Sequence, residues 1–379
     1  MASKGEHVSC TTVDDGSWMR AFNKRAFSQR IPVSGMLELT SRCNLRCVHC
    51  YLGSQEEQHK KRALEMDTER VKGIIDEMAA AGCMFLVITG GDPMMRKDFP
   101  EIFIHAKSKG MFITVFCDGV LVTEKIVELF KEWPPRTVEI SIYGATAETY
   151  EKVTRIPGSY AKCIRGIERL LDAGIDVALK TVLMTINEHE LGAMREIARS
   201  YGCKFRFDSA IFPCLPDSSK DPLELRVDPK RAVEHEMADE RVRDGWIQYH
   251  ETRKNNPPKE TLFRCGAGLT SFHVGPLGEL SPCVMTTQYR YPSNGATFQE
   301  RWDNELRELR SEKPKRSDYE CNSCEKRTLC SGCPAFNWLE SGESDKKSNY
   351  VCATTQARWD AVFGDENSSP GHRALKIVK

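Results

Sequence analysis

Residues 36–50 read MLELTSRCNLRCVHC, and this stretch decides how the rest of the chain is interpreted. Its first four residues predict a short strand, which runs into a loop that carries Cys43, Cys47 and Cys50. Thiolates at this spacing converge on one soft metal centre, either zinc or an iron–sulfur cluster. A closed zinc site needs four ligands, the fourth of which His49 could supply, whereas three thiolates suit a cubane cluster with one open iron. The loop therefore predicts a metal centre with two alternative identities.

Beyond this loop, short apolar runs alternate with amphipathic stretches. The apolar runs predict strands over 85–88, 112–116, 138–142, 177–182 and 205–207. The amphipathic stretches predict helices over 67–81, 98–109, 123–132, 159–173 and 188–201. With the first strand they form six strand–helix units, which predict an α/β fold built as a partial, TIM-like (β/α)6 barrel. Functional residues of such folds lie at the carboxyl ends of the strands, where Gly90–Asp92 and Cys117–Gly119 fall.

The pattern changes near residue 212, where four prolines lie within residues 212–229. A charged stretch over 229–255 predicts a helix, and FHVGPLGELSPC (272–283) predicts a hairpin. Trp18, Phe22 and Phe27 predict a short amphipathic helix that covers the core rather than docking a peptide. The predicted divisions are an N-terminal extension (1–30), an α/β core (31–211), a bridging region (212–260), a cysteine-rich domain (261–363) and a tail expected to be flexible (364–379).

The composition argues against several classes of protein. The 54 Lys and Arg residues balance 54 Asp and Glu residues, so the chain offers no basic stripe for nucleic acid. There is no run of 18 apolar residues and no apolar segment in the polar N-terminal stretch, which indicates neither a membrane span nor a secretion signal. We therefore expect a soluble, cytoplasmic protein.

Sixteen cysteines are many for a reducing compartment, where disulfides rarely persist. Six stand alone among apolar or loop residues and are predicted to be structural: Cys10, Cys83, Cys117, Cys163, Cys203 and Cys214. Besides the three in the loop, the others form a C-terminal set: Cys265, Cys283, Cys321, Cys324, Cys330, Cys333 and Cys352. This set predicts further metal centres, with a purely structural zinc ribbon as the alternative.

The sequence CNLRCVHC resembles the CxxxCxxC signature of the radical S-adenosylmethionine (radical SAM) superfamily, and the resemblance extends over residues 33–355. It implies that Cys43, Cys47 and Cys50 hold a 4Fe-4S cluster whose open iron chelates SAM. One electron then cleaves SAM to methionine and a 5'-deoxyadenosyl radical, which abstracts hydrogen from a substrate.

The resemblance also implies contacts with SAM, some of them in a GGDP segment that stands where the family commonly has GGEP. The implied residues are His49, Tyr51, Gly90, Gly91, Asp92, Ser141 and Arg155. A plain turn that needs glycine, a core Ser141 and a solvent-facing Arg155 remain alternatives.

The C-terminal cysteines resemble the SPASM extension of peptide-modifying radical SAM enzymes, which implies two auxiliary iron–sulfur clusters. The implied ligands are Cys321, Cys324, Cys330 and Cys352 for an outer cluster and Cys265, Cys283 and Cys333 for an inner one. Some relatives supply a fourth inner cysteine soon after the first, but residues 266–273 contain none. The inner cluster is therefore expected to have an open iron, a two-iron composition or an unidentified ligand.

In function, the resemblance implies an oxidoreductase that crosslinks a ribosomally made precursor peptide. It further implies a reductant such as flavodoxin or ferredoxin. Because the residues before the core are too few for a leader-binding domain, leader recognition is expected to need either a separate leader-peptide-binding protein or the core surface itself. The alternatives are haem or redox-cofactor biosynthesis, sulfatase maturation, and a non-enzymatic iron–sulfur electron-transfer or scaffold protein. Sulfatase maturation is weakened because Val284 follows Cys283, where that subgroup typically has Asp. Further candidates for substrate contact inside the barrel are Cys117, Tyr143, Lys180 and Asp208.

Overall fold

The computed structural model describes residues 15–215 and 221–364. The predicted structural cysteine Cys10 and residues 365–379 of the predicted tail lie outside these ranges. None of the described helices combines the length and the apolar composition that crossing a membrane requires.

One eight-stranded sheet organises the described chain, in the order β6-β5-β4-β3-β2-β1-β7-β8. Neighbouring strands are parallel, except that β7 and β8 form an antiparallel hairpin. The strands are β1 (Ser34–Glu38), β2 (Phe85–Thr89), β3 (Phe112–Cys117), β4 (Thr137–Ser141), β5 (Val177–Val182), β6 (Lys204–Asp208), β7 (Ser271–Val274) and β8 (Leu280–Ser281). The first six strands form the predicted partial barrel.

Side chains alternate between the two faces of this sheet. On β4, Val138 and Ile140 are fully buried in the hydrophobic core between the sheet and the helices. Glu139 and Ser141, which are only partly buried, lie on the other face. The polar side chain of Glu139 therefore lies on the inner face of the barrel, below the carboxyl ends of the strands where functional residues of such folds lie.

The helices pack outside the sheet by burying one face each. In the third helix, Asp67 caps the first turn by accepting the backbone N–H of Arg70 at 2.8 Å, and the predicted apolar face is buried: Val71, Ile74, Ile75 and Met78. The helices are α1 (Asp15–Gln29), α2 (Gln55–Lys60), α3 (Thr68–Ala80), α4 (Phe99–Ser108), α5 (Glu124–Glu132), α6 (Ala147–Thr154), α7 (Ser159–Asp172), α8 (Leu191–Ser200), α9 (Pro229–Met237), α10 (Glu240–Arg253), α11 (Phe298–Asp303), α12 (Glu305–Leu309), α13 (Pro334–Ser341) and α14 (Asn349–Phe363).

The predicted barrel elements are all present, with ends that differ by at most two residues, apart from one helix start. The helix predicted over 188–201 begins as a 3-10 turn, Glu188–Glu190, before α8. The helix predicted over 229–255 is two helices, since α9 ends at Met237 and α10 begins at Glu240. Helix α2 was not predicted, because its sequence QEEQHK has no apolar periodicity.

The N-terminal extension does contain a helix, α1, but the prediction that its aromatic residues cover the core is wrong. Trp18 and Phe27 are each 50% exposed, and it is the small Ala26 that is buried. The reason is geometric: at about 100° per residue, positions 18 and 27 lie on opposite sides of the helix. Trp18 instead stacks on Phe22, with the ring centroids 5.4 Å apart.

The C-terminal part of the chain is built onto the same sheet. The predicted hairpin is formed by β7 and β8, and β7 pairs in parallel with β1. The Phe272 ring packs so closely on Gly35 that a Cβ at this glycine would lie 2.4 Å from the ring. Elsewhere α14 packs against α9 through an ion pair between Arg358 and Glu236, both buried. The strand that leads into the cysteine loop is thus covered on its free edge by the C-terminal part.

Candidate active site

The cysteine loop (residues 43–50) leaves the carboxyl end of β1. Arg42, just before the loop, forms an ion pair with the carboxylate of Glu65 at 3.0 Å. Farther along, the backbone N–H groups of Arg46 and Val48 donate to the carbonyls of Thr154 and Val153, at 2.9 and 3.0 Å. The end of α6 is therefore bonded directly to the loop that carries the three thiols.

The three thiols of the loop all lie close enough to Tyr143 to affect the pKa of its hydroxyl. Burial raises the pKa of Tyr143 well above its usual range, and the thiols of Cys47, Cys43 and Cys50 each raise it further. Within residues 15–215 and 221–364, no three His, Cys, Asp or Glu side chains are arranged to hold a single metal ion. Three soft thiols on one loop, all near Tyr143, form a donor set that fits an iron–sulfur cluster.

A pair of buried carboxyl groups lies beside Cys43. One Asp118 oxygen is 4.0 Å from the Cys43 sulfur, and the other accepts the Val120 N–H. Asp92 is fully buried and accepts the N–H groups of Met94 at 2.9 Å and Asp118 at 3.0 Å. Burial raises the pKa of both carboxyl groups, and the nearby Asp92 raises that of Asp118 further. The pair therefore favours a bound cation at this position.

Close backbone contacts explain why the GGDP segment has glycine at its first two positions. Gly91 donates its N–H to the Thr40 carbonyl at 2.8 Å, so the segment runs against the start of the cysteine loop. Gly90 has φ +150°, and a Cβ there would lie 2.4 Å from the Thr40 oxygen. A Cβ at Gly91 would lie 2.3 Å from the Arg42 oxygen. Side chains at either position would push the two segments apart.

The other predicted SAM contacts lie around the same loop. The His49 ring packs edge-on against Tyr143, with centroids 4.7 Å apart. Ser141 is the last residue of β4 and interacts with the Tyr143 hydroxyl. Arg155 is exposed and directly follows α6, with a left-handed φ of 59°. The structure thus brings these residues to one end of the barrel.

Tyr51 belongs to a buried polar chain that the sequence did not reveal. Its hydroxyl donates to Glu38 at 2.9 Å, and the other Glu38 oxygen is 3.4 Å from Nε2 of His273. Nδ1 of His273 is 2.9 Å from the Ser281 hydroxyl, which donates to the Cys283 carbonyl at 3.1 Å. Burial favours neutral Glu38, but His273 and Tyr51 outweigh it and lower the Glu38 pKa. Hydrogen bonds and the close approach of Glu38 to His273 therefore connect the residue after Cys50 with Cys283.

Inside the barrel, Lys180 is the most unusual side chain. Burial lowers its pKa to about 7, although Glu139, whose carboxylate is 3.7 Å away, acts in the opposite direction. Arg206 binds the same carboxylate at 2.7 Å, and Phe116 lies under the ammonium. Of the other candidates in this region, Asp208 is more than half exposed at the end of β6, whereas Cys117 is buried in the hydrophobic core.

The C-terminal cysteines separate into the two predicted groups. The pKa of Cys321 is raised by burial and then by the thiols of Cys352 and Cys330, and Cys324 also contributes. These four thiols line one cavity of about 220 Å³, which is larger than a single ion requires and which Cys333 also lines. We call them the outer group.

The remaining three C-terminal cysteines form the inner group. Burial raises the pKa of Cys333 to about 11, and the thiols of Cys265 and Cys283 act in the same direction. Cys333 also lines a cavity of about 380 Å³, together with residues 207–210 at the end of β6 and Met285. We call this space the substrate cavity, because it joins the end of the barrel to the inner group.

The isolated cysteines are placed differently. Cys83, Cys117 and Cys163 are buried in the core and Cys203 packs against it, as predicted. Cys214 instead reaches the cysteine loop, where its thiol donates to the Cys50 carbonyl at 3.3 Å.

Comparison with known proteins agrees with this geometry. Residues 37–199 match the radical SAM superfamily. The chain is 26% identical over 336 residues to the AdoMet-dependent heme synthase of Methanosarcina barkeri, covering 83% of this chain and 94% of the relative. It is 27% identical over 315 residues to the mycofactocin maturase MftC of Mycolicibacterium smegmatis, covering 79% of this chain and 77% of the relative.

Two solved structures share the fold. Streptococcus suis SuiB bound to S-adenosylmethionine superimposes with a TM-score of 0.64 at 14% identity, covering 90% of this chain and 84% of SuiB. Native anSMEcpe with bound AdoMet and a Cp18Cys peptide gives 0.66 at 16% identity, covering 88% of this chain and 97% of that protein. The chain therefore contains a radical SAM domain over residues 37–199, followed by a cysteine-rich C-terminal region, and this domain implies a 4Fe-4S cluster and SAM as cofactors.

Proposed function

We propose that the chain is a maturase that oxidatively crosslinks a ribosomally made precursor peptide in the cytoplasm. The observation that carries this proposal is the substrate cavity, which runs from the end of β6 to Cys333. An extended peptide in this cavity contacts both the barrel end and the inner group. The likeness to MftC and to the fold of peptide-bound anSMEcpe supports the same substrate class.

The cluster and SAM, when bound, supply the 5'-deoxyadenosyl radical that removes hydrogen from the substrate. In this proposal Cys43, Cys47 and Cys50 hold the cluster. Asp92 and Asp118 accept the ammonium of the methionine moiety beside Cys43. Burial raises the pKa of both carboxyl groups, and a bound cation favours their ionised form again. The remaining contacts fall to residues at the same end of the barrel: His49, Tyr51, Gly90, Gly91, Ser141 and Arg155.

The C-terminal cysteines complete the proposal. The outer group and the inner group each hold an auxiliary iron–sulfur cluster, and the inner one has one coordination position that no cysteine fills. A crosslink removes two hydrogens from the peptide, so one electron must leave the substrate after hydrogen abstraction. Cys333 lines the substrate cavity, so a cluster held by the inner group would lie beside the substrate and would accept that electron, while the accompanying proton would pass to solvent. A flavodoxin or ferredoxin supplies the starting electron, and a separate protein binds the leader peptide.

Mass spectrometry tests this function. The protein is reconstituted anaerobically with iron and sulfide and incubated with SAM, a reductant and the product of a short open reading frame beside its gene. A loss of two hydrogens, with one 5'-deoxyadenosine formed per peptide, is expected. Formation of 5'-deoxyadenosine without any change in neighbouring peptides would contradict the peptide substrate, and well-formed clusters without 5'-deoxyadenosine would contradict the proposed SAM site.

A second candidate is a reaction on a tetrapyrrole. Its support is the heme synthase relative, of which the chain covers 94%. Incubation of the same reconstituted enzyme with iron coproporphyrin, followed by mass spectrometry of the porphyrin, distinguishes the two candidates. A change in porphyrin mass would show that the substrate is a tetrapyrrole rather than a peptide.

A further inference from the structure

A second cavity, of about 370 Å³, is lined by Cys265 and Cys333 of the inner group and also by Cys330 of the outer group. It shares Ser331 and Cys333 with the substrate cavity and is lined by the end of α10, the segment that follows α10 and the cysteine-rich loop. Four of its lining residues are cations: Arg253, Lys259, Arg264 and Arg327. None of its lining residues in the described chain is Asp or Glu. We call it the basic cavity.

The four cations make no ion pair with any described carboxylate. Arg264 donates to the carbonyl of Cys321 at 3.1 Å, and Arg327 donates only to backbone carbonyls. Arg253 lies over the Tyr249 ring, 3.8 Å from its centroid. Carbonyl and aromatic contacts satisfy part of each of these three guanidinium groups. The lining groups that can offset the four positive charges are the thiols of Cys265, Cys330 and Cys333, which are fewer than the cations.

The surroundings do contain carboxylates, but these are used elsewhere. Lys254, on the same stretch of chain, is paired with Glu251, and Lys313 with Glu260. Paired and unpaired cations therefore occur side by side. The acid-free lining is a local property of the cavity, because the chain as a whole has equal numbers of acidic and basic residues.

Burial lowers the pKa of Lys259, and the neighbouring positive charges of Arg310 and Arg264 lower it further. A lysine that loses affinity for its proton through neighbouring cations gains it back when an anion enters. The cavity is therefore electrostatically prepared for a negatively charged ligand.

The inner group points to the kind of anion. It has three thiols, and Cys265 among them is exposed at the basic cavity. If the inner group held a cluster with one iron that no cysteine ligates, a carboxylate oxygen would be a candidate ligand for that iron. Guanidinium groups present paired N–H donors that match a carboxylate. A carboxylate entering here meets the cations and the inner group together.

We propose that the basic cavity binds a carboxylate of the substrate beside the inner group. This inference rests on the proposed function, because it places part of the substrate against the inner auxiliary cluster. The carboxylate comes either from a peptide, as a C-terminus or an acidic side chain, or from a propionate of a tetrapyrrole.

Succinate serves as the probe, on the reconstituted holoenzyme saturated with SAM so that the SAM-binding iron is already occupied. The electron paramagnetic resonance signal of the reduced auxiliary clusters is recorded during a succinate titration, with neutral succinamide as the matched ligand. We expect succinate to change this signal in a saturable manner and succinamide to leave it unchanged.

The double variant Arg253→Gln/Lys259→Gln removes two cations of the cavity and leaves every cysteine in place. Its dissociation constant for succinate is expected to rise by at least about tenfold, because charge-assisted contacts to the carboxylate are lost. The matched control is Lys254→Gln/Lys313→Gln, which removes two neighbouring cations that are already paired. Equal weakening in both double variants, or no signal change with succinate, would overturn the proposal.

Displacement identifies the source of the carboxylate. A short acidic peptide and coproporphyrin are each added to the succinate-bound enzyme, and displacement by one of them supports the proposal and names its source. Retention of succinate against both would reduce the cavity to a general anion site and overturn the assignment. Because no turnover is needed, failure here is distinguishable from failure of the peptide-crosslinking test.

Discussion

The two cysteine-rich regions use the same side chain in opposite electrostatic surroundings. In the cysteine loop, Cys43 lies beside the buried carboxyl groups of Asp92 and Asp118. In the C-terminal region, Cys265 and Cys333 face a cavity that is lined by cations and contains no acidic lining residue among those described. The first region favours a cationic ligand such as the ammonium of SAM, and the second favours an anionic one. Cysteine spacing alone does not distinguish the two, so the carboxylates and cations around the thiols carry that information.

The largest effect is expected from removing the thiols of the first region. In the triple variant Cys43→Ala/Cys47→Ala/Cys50→Ala, formation of 5'-deoxyadenosine should be abolished and about four iron atoms should be lost, as expected for one 4Fe-4S cluster. Chromatography of the nucleoside and iron analysis measure both. Cys83→Ala, a core cysteine, is the control and should keep its iron. Loss of nucleoside formation with full iron content would place the ligands elsewhere.

The next prediction concerns the negative charge beside those thiols. Asp118→Asn keeps an oxygen that accepts the Val120 N–H but removes the carboxylate. The dissociation constant for SAM, measured by equilibrium dialysis on the reconstituted enzyme, should rise by about 10–100-fold because a charge-assisted contact is lost. The exposed Asp172→Asn is the control. Unchanged SAM affinity in Asp118→Asn would remove the electrostatic contrast between the two regions.

A third prediction concerns the cation inside the barrel. Because the pKa of Lys180 is lowered to about 7, the folded chain releases a proton that the unfolded chain keeps up to a pH of about 10.4. The free energy of unfolding therefore rises with pH across this window, and the cost of a charged Lys180 is largest below pH 7. Lys180→Met should be about 1–2 kcal/mol more stable than the wild type at pH 6, with a smaller difference at pH 9.

Denaturant unfolding at the two pH values measures this difference, and the exposed Lys131→Met is the control. A constant difference between Lys180→Met and wild type at both pH values would show that the pKa of Lys180 is not lowered to about 7. The inside of the barrel would then carry a full positive charge at Lys180, and its electrostatic difference from the basic cavity would be smaller.

The smallest effect is expected from a single cation of the second region. Arg327→Gln should lower the reduction potential of an auxiliary cluster by less than about 60 mV, the equivalent of a tenfold change for one electron. A redox titration followed by electron paramagnetic resonance measures the shift, with Lys346→Gln, an exposed and paired lysine, as the control. An equal shift in the SAM-binding cluster would mean that the two regions are not electrostatically separate.

The barrel could be predicted from the sequence because its signals are local. Each strand is a short apolar run and each helix repeats apolar residues within a few turns, so the elements follow from neighbouring residues alone. The exceptions show the same rule: α2 has only polar residues, and the aromatic residues of α1 are spaced so that Trp18 and Phe27 face opposite ways.

The electrostatics of the site could not be predicted, because they arise between residues distant in sequence. Asp118 follows a different strand from Asp92, and only the sheet brings their carboxyl groups together. Glu38 and His273 meet because β7 pairs with β1, which no local pattern indicates. The position of Asp118 at a strand's carboxyl end was the one available signal. Which residues hold the clusters and SAM stays a prediction for the experiments above.

The pairing of β7 with β1 has a consequence for protein engineering. The predicted domain boundary at residue 261 invites truncation there to isolate a minimal core, or exchange of the C-terminal region between relatives. Truncation would strip β1 of its hydrogen-bonded neighbour and expose an unprotected sheet edge, which is a site of aggregation. Truncation would also remove Phe272, whose ring covers Gly35. A workable chimaera must therefore carry its own β7–β8 hairpin, matched in register to the recipient's first strand.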